Sequence, residues 1–151
     1  MSAMTCIRPF TNHDLDACLQ LFDSNTPAFF DPLERPDFLH FLEHSTANLL
    51  VIERDGRIVA CGGHALRPET GTASLCWGMV DQALHGQGIG RLLTEARLRA
   101  IREQGLARAV RISTSQHSQG FYAGLGFVLR KVTPDGHGPG LDCWDMELAL
   151  M

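Results

Sequence analysis

At 151 residues, with 44% hydrophobic and 20% charged side chains, the chain has the make-up of one globular domain, residues 1–151, able to bury about two thirds of its unfolded surface. A formal charge of -4 and a single lysine, Lys131, argue against nucleic acid as a partner, because phosphate backbones are held by clustered Lys and Arg. Five scattered cysteines (Cys6, Cys18, Cys61, Cys76 and Cys143) without a C-x-x-C pair support neither a disulfide framework nor a metal site, and the absence of a long apolar run predicts a cytoplasmic protein without signal peptide or membrane span.

Thr5 to Pro9 reads as a first strand, ended by the proline. Thr11 then offers an N-cap, with Asp14 three residues on, and Leu15, Cys18, Leu19 and Phe22 recur at helical spacing. Between Asp23 and Pro32, Pro27 and Pro32 break regularity while Phe29 and Phe30 need apolar surroundings; they either wall a pocket or plug the end of the core. Arg35 to His44 reads as a second helix, unusually apolar through Phe38, Leu39, Phe41 and Leu42.

From Asn48 the period changes to that of strands. Leu49 to Glu53, the Asp55-Gly56 turn and Arg57 to Leu66 form a hairpin signal, and Thr72 to Val80 follows as an antiparallel neighbour. Gly62 and Gly63 predict a bulge or a close backbone approach beside His64.

His85-Gly-Gln-Gly-Ile-Gly-Arg91 then lies between the strand ending at Val80 and a helix from Ile89 to Gln104, closed by Gly105. Helix N-termini present unpartnered N–H groups and partial positive charge, and a loop without Cβ atoms can wrap them closely around phosphate oxygens. Neither G-x-G-x-x-G nor a P-loop is present, since the sixth position is Arg91 or Leu93 and no Gly-Lys-Ser/Thr follows. Arg97, Arg99, Arg102, Arg108 and Arg111 are expected on a solvated helix face and its neighbours, where they could also help hold the ribose phosphate of a nucleotide.

Ala109 to Thr114 reads as a strand, Ser118 to Leu125 as a short helix, Phe127 to Val132 as a strand, Thr133 to Gly140 as a loop and Asp142 to Leu150 as the last strand. The order predicts an α+β fold: a mixed, mostly antiparallel sheet of about seven strands flanked by about four helices. The strands on either side of the long helix should run parallel and part at a ligand cleft.

Gln/Arg-x-x-Gly-x-Gly/Ala, here His85 to Gly90, resembles the acetyl-CoA loop of the GCN5-related N-acetyltransferases, and Tyr122-Ala-Gly-Leu-Gly-Phe127 resembles the Tyr-x-x-Leu-Gly-Phe element of the same family. His85 departs from the usual first residue, and Ser115 stands where many members carry Asn. The resemblance implies a cradle for the CoA diphosphate in Gly86, Gln87, Gly88, Ile89, Gly90 and Arg91. It further implies backbone pairing of Gly78, Met79 and Val80 with the pantetheine arm and thioester oxygen, a pantetheine contact at Ser115, and Tyr122 as proton donor to the departing thiolate. Acetyl-CoA would be the co-substrate.

The chemistry requires such parts. An amine attacking a thioester builds an oxyanion that needs preorganised donors, and expels a thiolate that needs a proton. For the base, His64, Glu34, Asp81 or a chain of waters remain open. Cys76 reads as a small core residue and not a covalent nucleophile, and His85, His117 and His137 are expected to be exposed in loops. The expected activity is acetyl transfer to a primary amine of a small molecule or peptide by direct attack; the alternative is a non-catalytic acyl-CoA-binding sensor or interaction module. A homodimer through the last strand or the second helix is left open.

Overall fold

The computed structural model describes residues 4–150. The strands are β1 (Thr5–Pro9), β2 (Leu49–Arg54), β3 (Arg57–Arg67), β4 (Thr72–Val80), β5 (Ala109–Thr114), β6 (Val128–Gly138) and β7 (Leu141–Ala149); the helices are α1 (Leu15–Ser24), α2 (Arg35–His44), α3 (Ile89–Gln104) and α4 (Gln119–Gly124). They form one seven-stranded sheet in the order β1-β2-β3-β4-β5-β7-β6, antiparallel except for β4 and β5. That is the predicted α+β architecture.

Alternation along the strands explains the layers. Val51 and Cys61 point to a core with Cys18, Phe22, Phe38 and Leu42 from α1 and α2, while their neighbours Ile52 and Ala60 pack on Ile89 and Leu93 of α3. Both faces of the sheet are therefore covered at its centre, and Val59 to His64 of β3 are all buried. At the N-terminal edge Thr11 and Asp14 make the predicted capping box, on a 3-10 turn (Asn12–Asp14) that leads into α1. Asp14 also takes two bonds from Arg8, of 2.8 and 2.9 Å.

One irregularity shapes the molecule. Cys61 pairs with Met79 but Gly63 with Cys76, so Trp77 and Gly78 together oppose Gly62, and Trp77 takes a left-handed φ of 51°. The bulge that the glycines of β3 suggested therefore has its extra residue on β4, while Gly62 is a point of close approach: a Cβ there would lie 3.0 Å from Arg97 Cζ. A bulge increases local twist and bends the strand. β4 pairs with β5 only through Thr72, Ala73 and Ser74, and beyond that the two strands diverge.

The end of the chain differs from expectation in two ways. β6 continues to Gly138 through the segment read as a loop, because an edge strand tolerates Pro134. Its irregular part is tied by side chains: Asp142 accepts from the Asp135 amide at 2.9 Å, and Asp135 accepts from the Gly140 amide at 2.8 Å. The last strand, β7, lies between β5 and β6, so both of its edges are used within the chain and it offers none for pairing with a second copy.

Candidate active site

Where β4 and β5 part, a cleft of about 1070 Å³ opens, at the upper end of the usual size for ligand sites. Its walls include Gly78, Met79 and Val80 from β4, Thr114 at the end of β5 and Ser115 after it, Tyr122 from α4, and the start of α3.

The turn from β4 into α3 is built from its own residues. Asp81 caps a 3-10 turn (Gln82–Leu84) by accepting from the Ala83 amide at 3.0 Å. Gly86 and Gly88 both take φ of 82°, and a Cβ at either would meet nothing within 4 Å; glycine is required there for its conformation and not for space. The first bond of the helix runs from Leu92 N–H to the Gly88 carbonyl at 3.1 Å. The amides of Gly86, Gln87, Gly88, Ile89, Gly90 and Arg91 accordingly donate to nothing among the described residues. Because the partial positive charge of the helix terminus adds to these free donors, the turn has the donors and the charge that suit an anion.

Side chains around the cradle divide. His85 folds inward: its Nε2–H donates to the Val80 carbonyl at 2.9 Å and its ring lies edge-on to Phe29 at 5.0 Å. Buried Asn25 donates to the same carbonyl at 2.8 Å, so Val80 keeps no free carbonyl for a ligand. Gln87 is not part of the cleft; it leans the other way and accepts from Arg54 at 3.3 Å. Arg91 lines the cleft mouth, paired with Glu95 one turn on at 2.8 Å.

Tyr122 is buried to 8% exposure, wedged edge-on against Phe121 and Phe127, which explains the aromatic flanks of the downstream signature. Its ring lines the cleft, and its hydroxyl bonds to none of the described residues. Ser115 accepts from the His117 amide at 3.2 Å, so its hydroxyl oxygen serves the turn into α4 while it lines the same wall.

The three candidate bases separate cleanly. His64 is buried outside the cleft, its basicity reduced by burial, partly restored by nearby Gln104 and reduced again by Arg97, with no hydrogen bond of full geometry at either ring nitrogen. Asp81 is occupied as a cap and lies 3.9 Å from Arg57. Glu34 lines the cleft, its carboxyl raised above the usual carboxylate range by burial. One oxygen of Glu34 accepts from the Asp31 amide at 3.1 Å and the other lies 3.8 Å from His137 Nδ1, whose Nε2 bonds the Thr114 carbonyl at 3.0 Å.

His137 is thus half-buried in the cleft wall and not an exposed loop residue, because β6 extends to carry it there. His85 and His117 are exposed as expected. Of the aromatic pair, Phe30 stacks on Phe22 and Trp77 while Phe29 meets His85 and His117; both line the cleft, and Phe30 packs on the core as well. The Cys76 thiol is raised by burial, which keeps it protonated and poorly nucleophilic. Arg97 is not on a solvated face: it is 1% exposed, in the apolar stripe of α3. Among the described residues no group of three or more His, Cys, Asp or Glu could hold a metal ion, and no helix is long and apolar enough to cross a membrane.

Asn25, His137 and Arg97 are the site residues that sequence reasoning missed. Only Arg97 carried a readable signal, as the polar member of an i, i+4 series with Ile89, Leu93 and Ile101.

The sequence matches the family model described as acetyltransferase (GNAT) family over residues 15–127. No curated protein matches it in sequence. A GNAT-family structure from Desulfovibrio desulfuricans superposes with a TM-score of 0.83 at 20% identity, covering 98% of this chain and 100% of that one. A Salmonella typhimurium structure solved with its cofactor acetyl-CoA gives a TM-score of 0.77 at 19% identity, covering 98% and 95%. The ribosomal-protein-S18-alanine N-acetyltransferase of Escherichia coli gives 0.80 at 19%, covering 97% and 94%.

Proposed function

The chain belongs to the acetyltransferase (GNAT) family, and from that premise we propose that it moves the acetyl group of acetyl-CoA to a primary amine of a small molecule or peptide by direct attack. The observation that carries this reading is the row of free amides from Gly86 to Arg91 at the mouth of the β4–β5 cleft. Those donors suit a diphosphate. A diphosphate held there directs the pantetheine arm along the free edge of β4.

At the β4 bulge Trp77 and Gly78 share Gly62 as their one partner while Met79 keeps its pairing with Cys61, so main-chain groups of Gly78 are left for the thioester. The amine nitrogen attacks the carbonyl carbon and the C–N bond forms as negative charge moves to the oxygen. Collapse then breaks the C–S bond, Tyr122 supplies the thiolate with a proton, and the proton that the attacking nitrogen sheds in becoming an amide restores the phenol. Glu34 takes the proton from the incoming ammonium, directly or through water; its raised value brings it nearer the working pH of a base. The elevated Cys76 thiol supports direct attack over an acyl-cysteine route.

The carboxyl of Glu34 in the cleft wall suits an amine acceptor, and the whole chain works as one unit. The free cysteines of the described residues suit a reducing cytoplasm. The test is thiol release from acetyl-CoA against a panel of small-molecule and peptide amines. Release with at least one amine supports the reading; binding of acetyl-CoA with no release from any would leave a non-catalytic acyl-CoA-binding module.

A further inference from the structure

Arg97 is a buried ionic group that the chemistry above does not use. Its guanidinium lies against the main chain of β3 and β4 at the bulge: a Cβ on Gly62 would come 3.0 Å from its Cζ, and one on Gly78 would come 2.7 Å from its Nη2. Only glycine at both positions allows so close an approach.

The polar contacts of Arg97 are sparse. Nη1 donates to the Gly63 carbonyl and Nη2 to the Thr94 hydroxyl, both at 3.3 Å, while Nε is sealed from solvent with no partner. No carboxylate pairs with it among the described residues. The titratable groups that face it are His64 and Cys61 from β3 and Cys76 from β4, none of them an anion: burial depresses the imidazole, a hydrogen bond with Cys18 together with burial raises the Cys61 thiol, burial raises that of Cys76, and the cation opposes the rise of both thiols. An arginine cannot shed its proton to escape this setting. A buried cation without a counter-charge is strongly unfavourable unless an anion arrives in function.

The diphosphate cradle is not that partner, since Arg97 lies two helical turns beyond it. The bulge at Gly78 is where the proposed reaction develops negative charge. We propose that Arg97 is a positioning residue of acetyl transfer, its charge acting through the Gly78–Met79 main chain to favour the anionic thioester oxygen and then the departing thiolate. This rests on the acetyl-CoA reading of the cleft. It also accounts for a guanidinium in an otherwise apolar helical stripe.

The test pairs Arg97→Lys, which keeps the charge, with Arg97→Met, which removes it. Arg97→Met should lower kcat by about 10- to 100-fold, near the range for loss of one oxyanion donor, with KM for acetyl-CoA within about twofold, and Arg97→Lys should recover most of the loss. A second measurement starts from wild type: the affinity for CoA relative to desulfo-CoA, by calorimetry across pH. A site that favours the thiolate makes that ratio rise with pH below the ordinary thiol range, and the rise should vanish in Arg97→Met. Equal kcat in Arg97→Met and wild type, equal loss in Lys and Met variants, or a flat ratio in wild type each overturns the proposal. Should Arg97→Met fail to fold, the wild-type ratio still decides. Failure of the wider reading is distinct: wild type would then bind neither CoA nor acetyl-CoA.

Discussion

Tyr122 and Glu34 reach the cleft from elements on opposite faces of the sheet, and each has a separable signature. Tyr122→Phe keeps the edge-on packing with Phe121 and Phe127 and removes only the hydroxyl, so kcat should fall by about 10²-fold or more with KM for acetyl-CoA nearly unchanged. Steady-state thiol release measures both; an unaltered kcat removes Tyr122 from the mechanism. For Glu34 the sign follows from its raised carboxyl: a base must be ionised, so kcat/KM should climb as pH rises through a value above the usual carboxylate range and then level off. Glu34→Gln should abolish that limb of the profile and lower the plateau by about 10²-fold. The place of Tyr122 in the cleft wall was legible because its Leu-Gly-Phe flank is contiguous in the chain. That Glu34, alone of the three carboxylate or imidazole candidates, lies in the cleft was not, since its setting depends on burial and on His137, contributed from a strand about a hundred residues away. Arg97 was misjudged because it was grouped with Arg99 and Arg102 by composition, when its spacing from Leu93 and Ile101 set its direction.

At the scale of elements, the β4–α3 turn and the β1–α1 junction make different predictions. Alanine at Gly86 and Gly88 would have to hold φ of 82°, at about 1–2 kcal/mol each, and relaxation of the turn would scatter the amides. The double variant should bind acetyl-CoA about tenfold or more weakly by calorimetry, which corresponds to about 1.4 kcal/mol. At the other junction, bonds from the Arg8 guanidinium hold the Asp14 carboxyl below the usual carboxylate range. Its contribution is thus present above the unfolded value and is lost as pH falls through the lower folded one. Asp14→Asn should cost about 1.5–3 kcal/mol at neutral pH and flatten the acid side of the Tm profile. Most elements were readable because their signals are local: a capping box at Thr11 and Asp14, an Asp-Gly hairpin, a Gly105 helix stop with φ of 68°. The end of β6 was not, because Pro134 and Gly136 announce a loop while the order that overrides them comes from Asp142 and Asp135 across the hairpin.

For the whole molecule, the parallel pairing of β4 with β5 followed from the crossover, but the depth of the cleft did not. Only three residue pairs join the strands, and β4, once parted from β5, carries a bulge at Trp77 whose left-handed φ no local rule assigns to a tryptophan. A cleft that binds the folded state alone also couples to stability: acetyl-CoA at about 100 times its Kd should add about 2.7 kcal/mol, a rise of several degrees in Tm. The central claim is the coincidence of a diphosphate cradle with a thioester track on β4, and a crystal structure of the acetyl-CoA complex tests it most directly. The account predicts diphosphate oxygens about 2.7–3.2 Å from amides within Gly86 to Arg91, with the thioester carbonyl against the main chain of Gly78 and Met79. A diphosphate bound elsewhere, or those amides turned inward onto the protein's own carbonyls, would contradict it.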